Sequence, residues 1–492
     1  MNILRIIAAG SLAVGLAGIA SAAVNNPGNP YIIHVSGSTA FRGQYTTSEI
    51  AALSVGLTVA NGFSAGTVPG EGTSKSSFTV KDTFTAVHGV DVNNNEIVFL
   101  NHWTGSVAGV VDLAQANLIS YIPVANVPAI NVTAVNLPTT ENAAPLMSMT
   151  DAAATDCATV CKSSGANTAA KTASAAITAS GMTDAGVLAG AAGFVSTVDF
   201  EWAMGANSAA APAITNITQD NAEALLSGGV LPAQYLTGTT GDNSTAVFYV
   251  GRNEDSGTRV LYQAESWSYG TGASQGLGAS TQQFMIKQAI AGYPANVGYS
   301  SLAAESGNIV DFKLWPGAWG MNTKPTISWA APGHSGYNGG GDVEAVLQSP
   351  NPVSALPSTG SFTSPITGAA YTGQVFVTCI GTADAASLFT ASPAGTALKY
   401  NGVTYHKSNI ENGTYALFNF EHSYYILGGT AANSLAVVAN GAAIQAALDA
   451  TADGVYNGTF GASDTDAGIA GNIAVTFPAI LNRGKTAGSY IH

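Results

Sequence analysis

Three times along this chain a short apolar run gives way to a loop of small, hydroxyl-bearing residues and then to an amphipathic stretch. Tyr31 to Val35 leads into Ser36-Gly37-Ser38-Thr39-Ala40-Phe41 and a helical pattern through Leu53. Glu96 to Leu100 leads into Asn101-His102-Trp103-Thr104-Gly105-Ser106 and an apolar helix start over Val107 to Leu113. Ala246 to Val250 leads into Gly251-Arg252-Asn253-Glu254-Asp255-Ser256-Gly257-Thr258, with a helix pattern from Val260 onward. Strand, loop and helix in that order is how α/β proteins bring ligand groups to the carboxyl ends of their strands. The fold class expected is therefore α/β.

The third loop carries the most chemistry. Ser256, Gly257 and Thr258 would form the first turn of the following helix, where backbone N–H groups have no partner within the helix and the dipole is positive. Arg252 adds a guanidinium able to make charge-assisted, bidentate contacts to an oxyanion. A capped helix start with a surface arginine has the same sequence, because Ser and Thr favour N-termini.

At 492 residues the chain exceeds one hydrophobic core, so two or more lobes are expected. Its 46% hydrophobic content supports real cores, while only 9% of residues are charged, against about 25% in an average globular protein. A formal net charge of -14 and the absence of any basic run argue against nucleic acid and anionic membrane surfaces as partners. An anion site here must act locally, against the overall field.

Residues 1–22 begin with Asn2 and Arg5, run apolar, and end in Ala20-Ser21-Ala22, the pattern of a secretory signal peptide rather than a membrane anchor. The expected location is periplasmic or extracellular. Of three cysteines, Cys157 and Cys161 are spaced to close a small disulfide in an oxidising compartment, leaving Cys379 as the odd thiol. A metal site would lack a fourth ligand, and no cofactor or metal is expected.

Residues 152–193 are a low-complexity stretch of Ala, Ser, Thr and Gly, read as an insertion on the surface. Phe194 to Glu201 turns apolar, as a crossing to a second lobe would. Asn216 to Leu231 reads as a capped helix and turn, Tyr415 to Leu427 as a return strand, and Ala431 to Ala450 as a helix. His34, His102 and His422 show no metal-ligand spacing, and Asp91, Asn93 and Asn95 lack a full calcium loop.

In order and type, four motifs resemble the phosphate-binding proteins of bacterial ABC uptake systems, a branch of the type II periplasmic solute-binding proteins. The family's first loop, Gly-x-Gly-x-Thr-Phe, is matched by Ser36-Gly37-Ser38-Thr39-Ala40-Phe41. Its second, Gly-Ser-x-Gly-Gly, is matched by Gly105-Ser106-Val107-Ala108-Gly109. Its Ser-Asp pair after a strand finds Met147-Ser148-Met149-Thr150-Asp151. Its Arg-x-x-x-Ser-Gly-Thr is matched in full by Arg252, Ser256, Gly257 and Thr258. The ending Asn482-Arg483-Gly484 echoes the family's close. Ala40 departs from the family's usual aromatic, though Phe41 follows at once, and the low-complexity stretch begins directly after Asp151.

The resemblance implies a two-lobed fold with two crossovers and the ligand in the interlobe cleft. Lobe one would span 23–192 and 417–492, and lobe two 193–416. It implies inorganic phosphate as ligand, an ABC permease as partner, and a monomer without catalytic activity. Ser38, Thr39, Ala40, Ser106 and Asp151 would approach the anion from lobe one, and Arg252, Ser256, Gly257 and Thr258 from lobe two. Hydroxyls and N–H groups would donate to phosphate, and Asp151 would accept the proton that phosphate keeps at neutral pH and sulfate lacks. Asp151 as a plain N-cap is the alternative reading of that residue, and Glu254 and Asp255 would either orient Arg252 or stand in solvent. An extracellular structural or adhesive protein with a lost or repurposed cleft is the rival for the whole chain, favoured by the low charge and the long Gly/Ser/Thr loops.

Overall fold

A computed structural model describes residues 24–39, 42–53, 55–62, 78–79, 82–130, 139–163, 168–184, 193–202, 214–228, 230–252, 256–266, 360–363, 370–373, 376–384, 396–404, 409, 414–415, 417–420 and 422–456. The leader over 1–22, Ala40, Glu254, Asp255 and the Arg483 motif lie outside them.

The first strands and helices are β1 (Tyr31–Gly37), α1 (Arg42–Ala52), β2 (Val55–Asn61), β3 (Phe84–Val90), β4 (Glu96–His102) and α2 (Ser106–Gln115). A small antiparallel pair, β5 (Ile119–Tyr121) and β6 (Glu141–Ala143), precedes β7 (Met147–Thr150), α3 (Ala154–Ser163), α4 (Thr168–Ala179) and β8 (Met182–Asp184). Next come β9 (Gly193–Trp202), β10 (Asn216–Ile217), α5 (Gln219–Gly228), β11 (Val230–Pro232), α6 (Gln234–Thr237), β12 (Thr245–Val250) and α7 (Gly257–Ser266). β13 (Gly360–Thr363), β14 (Ala370–Gly373), β15 (Phe376–Asp384), β16 (Thr396–Ala397) and β17 (Lys399–Tyr400) lead to β18 (Phe418–Phe420), β19 (His422–Ile426) and α8 (Gly441–Tyr456).

Two sheets organise these elements, each the centre of a lobe. The first runs β2-β3-β4-β1-β7-β19-β8, and the second runs β11-β12-β15-β9-β16 with β18 beside β9. In the first sheet β1 is parallel to both β4 and β7, so the carboxyl ends of all three share one edge. Strand alternation splits its side chains between two faces. Ile33, Val35, Ile97 and Phe99 pack with Tyr45 and Leu53 and with Ile444 and Leu448 of α8. Val98 and Leu100 pack on the other face with Tyr121 and Ile122. Burial on both faces is why these strands read as nearly continuous apolar runs.

The chain leaves the first sheet after β8, enters the second at β9, and returns through β18 to β19. The two crossings pair antiparallel, Phe418 with Val195 and Phe420 with Gly193. Two lobes joined by two crossings is the architecture the sequence led us to expect.

Three expectations change. The stretch read as a surface excursion contains two helices, and Cys157, Ala173 and Ile177 are buried with Val107 and Val110 of α2. Its last strand, β8, joins the first sheet beside β19. The Cys157–Cys161 disulfide is also corrected: Cys157 is a buried thiol whose Sγ lies 3.8 Å from the Ala152 carbonyl. On one helix, positions four apart hold their Cβ atoms about 5–6 Å apart, beyond the ~3.8 Å of a disulfide. Finally, the helix expected from Ala431 begins at Gly441. Asn433 is buried and donates to the carbonyls of Leu113 (2.8 Å) and Pro145 (3.0 Å), fixing a turn where composition favoured helix.

Candidate functional site

The carboxyl end of β1 clasps that of β7. Gly37 has φ 123°, and a β-carbon there would overlap the Met149 carbonyl, so only glycine lets the strands approach this closely. Ser38 N–H donates to that carbonyl at 2.8 Å, and Gly105 N–H donates to the Gly37 carbonyl at 2.8 Å. These two bonds draw the start of α2 and the end of β7 to the same point. Gly105, the residue before α2, gives the helix no side-chain cap.

Asp151 follows β7 directly and is 1% exposed. Thr150 shapes its backbone, with Oγ1 donating to the Ala152 carbonyl and accepting from Ala152 N–H. Tyr424 OH accepts from Ala154 N–H at 3.2 Å and so fixes the start of α3 just beyond the carboxylate. Ser106 Oγ, at the first position of α2, donates to Asp151 Oδ1.

The second lobe meets this point from the other side. β12 ends at Val250, and Ser256, 3% exposed, immediately precedes α7; its carbonyl accepts from Val260 N–H at 3.2 Å, as that of an N-cap does. A β-carbon on Gly257 would overlap the Asp151 carboxylate and lie 2.8 Å from Ser106 Oγ. Two helix N-termini, α2 and α7, therefore converge on one carboxylate. Arg252 is 2% exposed and its Nη2 donates to Thr39 Oγ1 at 3.4 Å, a second contact between lobes. Ser38 and Thr258 are buried and Thr39 is half-buried.

Of the residues expected from the sequence, close contacts link Ser106, Asp151 and Gly257 in one group and Thr39 with Arg252 in a second. Ser38 is tied to β7, while Ser256 and Thr258 flank Gly257. Sequence reasoning passed over Tyr424, which lay in an apolar aromatic run with no mark of its role. It also passed over Val260, the first apolar residue after the turn.

His422 is buried and His34 is half-buried. Burial pushes His34 and His102 down to about 4; the His34 ring lies tilted at 57° to Tyr121, and the His102 ring stacks on Phe84. Among the described residues no group of three His, Cys, Asp or Glu is placed to hold a metal. Asp91 serves a turn: its Oδ1 accepts from the N–H groups of Asn93 and Asn95, both at 2.8 Å. Two buried carboxyls stand apart from the cleft. Burial holds Glu49 well above the carboxylate range despite the Asn101 amide at 2.7 Å, and raises Asp112 to about 7 despite Asn117 at 3.0 Å.

No family model and no curated protein matches the sequence. Among solved structures, a Clostridium perfringens protein with bound phosphate shows 11% identity over 85% of this chain and 92% of its own, with a TM-score of 0.36. An ABC-type phosphate transport receptor from Vibrio cholerae shows 10% identity, coverage of 85% and 93%, and a TM-score of 0.35. PstS from Borrelia burgdorferi shows 10% identity, coverage of 80% and 87%, and a TM-score of 0.30. Similarity this slight says nothing of individual residues, and the site rests on its own geometry. Among the described residues no helix is long and apolar enough to cross a membrane.

Proposed function

We propose that this chain is a solute-binding protein that captures inorganic phosphate between its lobes for ABC-type uptake, outside the cytoplasm. Lobe one would be 23–192 with 417–492, and lobe two 193–416. The observation that carries the reading is the meeting of the α2 and α7 N-termini across the lobes, with a second interlobe contact from the buried Arg252 to Thr39. Helix N-termini and a guanidinium are donors suited to an oxyanion. The resemblance of the loop motifs to the phosphate-binding family points the same way.

Asp151 gives the site its choice of anion. A phosphate that keeps one proton can donate it to the carboxylate, whereas fully ionised sulfate has no proton to give and meets only a like charge. Calorimetric titration of phosphate-stripped protein near neutral pH tests the reading. Phosphate should bind tightly, sulfate weakly, and Arg252→Ala should lose most of the phosphate affinity. Absence of heat with either anion would sink the proposal, and equal binding of both would remove the role given to Asp151.

A further inference from the structure

Val260 belongs to α7, in the lobe built on the second sheet, yet its side chain is buried in a core cluster of the first lobe. It shares that cluster with Val107 and Val110 of α2, Ala152, Cys157 of α3, and Tyr424 of β19; among the described residues, every other buried member comes from the first lobe. Gly257 and Val260 stand three apart on α7, so they lie on one face of the helix. That face meets the first lobe along its length, Gly257 against Ser106 and Asp151 and Val260 one turn beyond, where α3 packs on α7.

We infer that Val260 is a closure latch, a positioning residue that holds the lobes together without touching the anion. The inference rests on the proposed function for its ligand. Gly257, one turn earlier, brings its backbone against the proposed anion-binding carboxylate, while Val260 contributes apolar burial that exists only when the lobes meet. The face that receives it includes α3, which gives the low-complexity stretch after Asp151 a purpose. A residue of this kind sets affinity and leaves selectivity alone, because both anions benefit equally from closure.

Val260→Ala removes burial equivalent to about a tenfold shift in the closed-to-open ratio. Calorimetry should show phosphate affinity falling by about that factor, with the phosphate-to-sulfate ratio little changed. Wild-type affinity in the variant, or an altered anion ratio, overturns the latch. If the wild-type protein binds no phosphate, small-angle scattering of the ligand-free forms decides instead. A larger radius of gyration in Val260→Ala then supports the latch although the transport reading has failed, and an unchanged radius overturns it. If the alanine variant does not fold, Val260→Thr keeps the shape, adds a hydroxyl to the apolar cluster, and is read in the same way.

Discussion

The α-carbon of Gly257 in the second lobe faces the carboxylate of Asp151 in the first so closely that no β-carbon fits between them. Gly257→Ala should therefore hold the lobes apart while leaving α7 intact, since alanine is the better helix former. We expect phosphate affinity to fall by tenfold or more with little loss of thermal stability. Titration and melting of the same sample check this; wild-type affinity in the variant would show that binding does not need so close an approach.

Asp151→Asn keeps the shape of the side chain and an acceptor for the Ser106 hydroxyl, but removes the charge. Loss of a charged acceptor for the phosphate proton should weaken phosphate by about ten- to a hundredfold. Sulfate should hold or tighten, because the repulsion has gone. A competition titration of the two anions reads the ratio directly, and a ratio equal to that of the wild type would assign Asp151 to helix capping alone.

The three strand-loop-helix units were legible because each uses strong local signals: β-branched strands, then glycine and hydroxyl residues, then an amphipathic helix. The convergence of those loops was not legible, since for the first two it depends on the parallel register of β1 with β4 and β7, and for the third on the approach of α7 to Asp151 across the lobes. α3 and α4 were hidden by composition. Alanine, serine and threonine in helices look like a polar excursion until Ala173 and Ile177 are seen packed beneath α2. The late start of α8 was hidden too, because the Asn433 contacts that fix the preceding turn reach residues far away in sequence.

Glu49 is fully buried on α1, and Asn101 Nδ2 donates both to its Oε2 and to Thr85 Oγ1. Because burial raises this carboxyl, the native state binds more protons than the unfolded chain above the ordinary glutamate range. Stability attributable to Glu49 therefore falls as pH rises from about 4.5 through the native value. Glu49→Gln retains an acceptor for Asn101 and has no charge to bury. The variant should melt above wild type at pH 8 and level with it at pH 4; a constant difference across that range would remove Glu49 from the pH dependence.

Asp112 and the two histidines on the same side of the first sheet act on stability in opposite directions. Asp112 rises from 3.8 to about 7 on folding, chiefly through burial, so the native state holds its proton and stability falls as pH climbs through that window. His34 and His102 drop from 6.5 to about 4 for the same reason, so the unfolded state holds their protons and stability rises over that interval. In wild type these two trends oppose each other between those limits, and above pH 6.5 the Asp112 trend continues alongside that of Glu49. Asp112→Asn can still accept from the Asn117 amide and removes the falling trend. The gain above pH 7 should be on the order of 1–4 kcal/mol, vanishing below pH 4. Thermal melts from pH 4 to pH 8 should then show a steeper rise to pH 6.5 in the variant and a shallower fall beyond it than in wild type. Parallel profiles in the two proteins would mean that Asp112 titrates in the native state as it does in the unfolded chain.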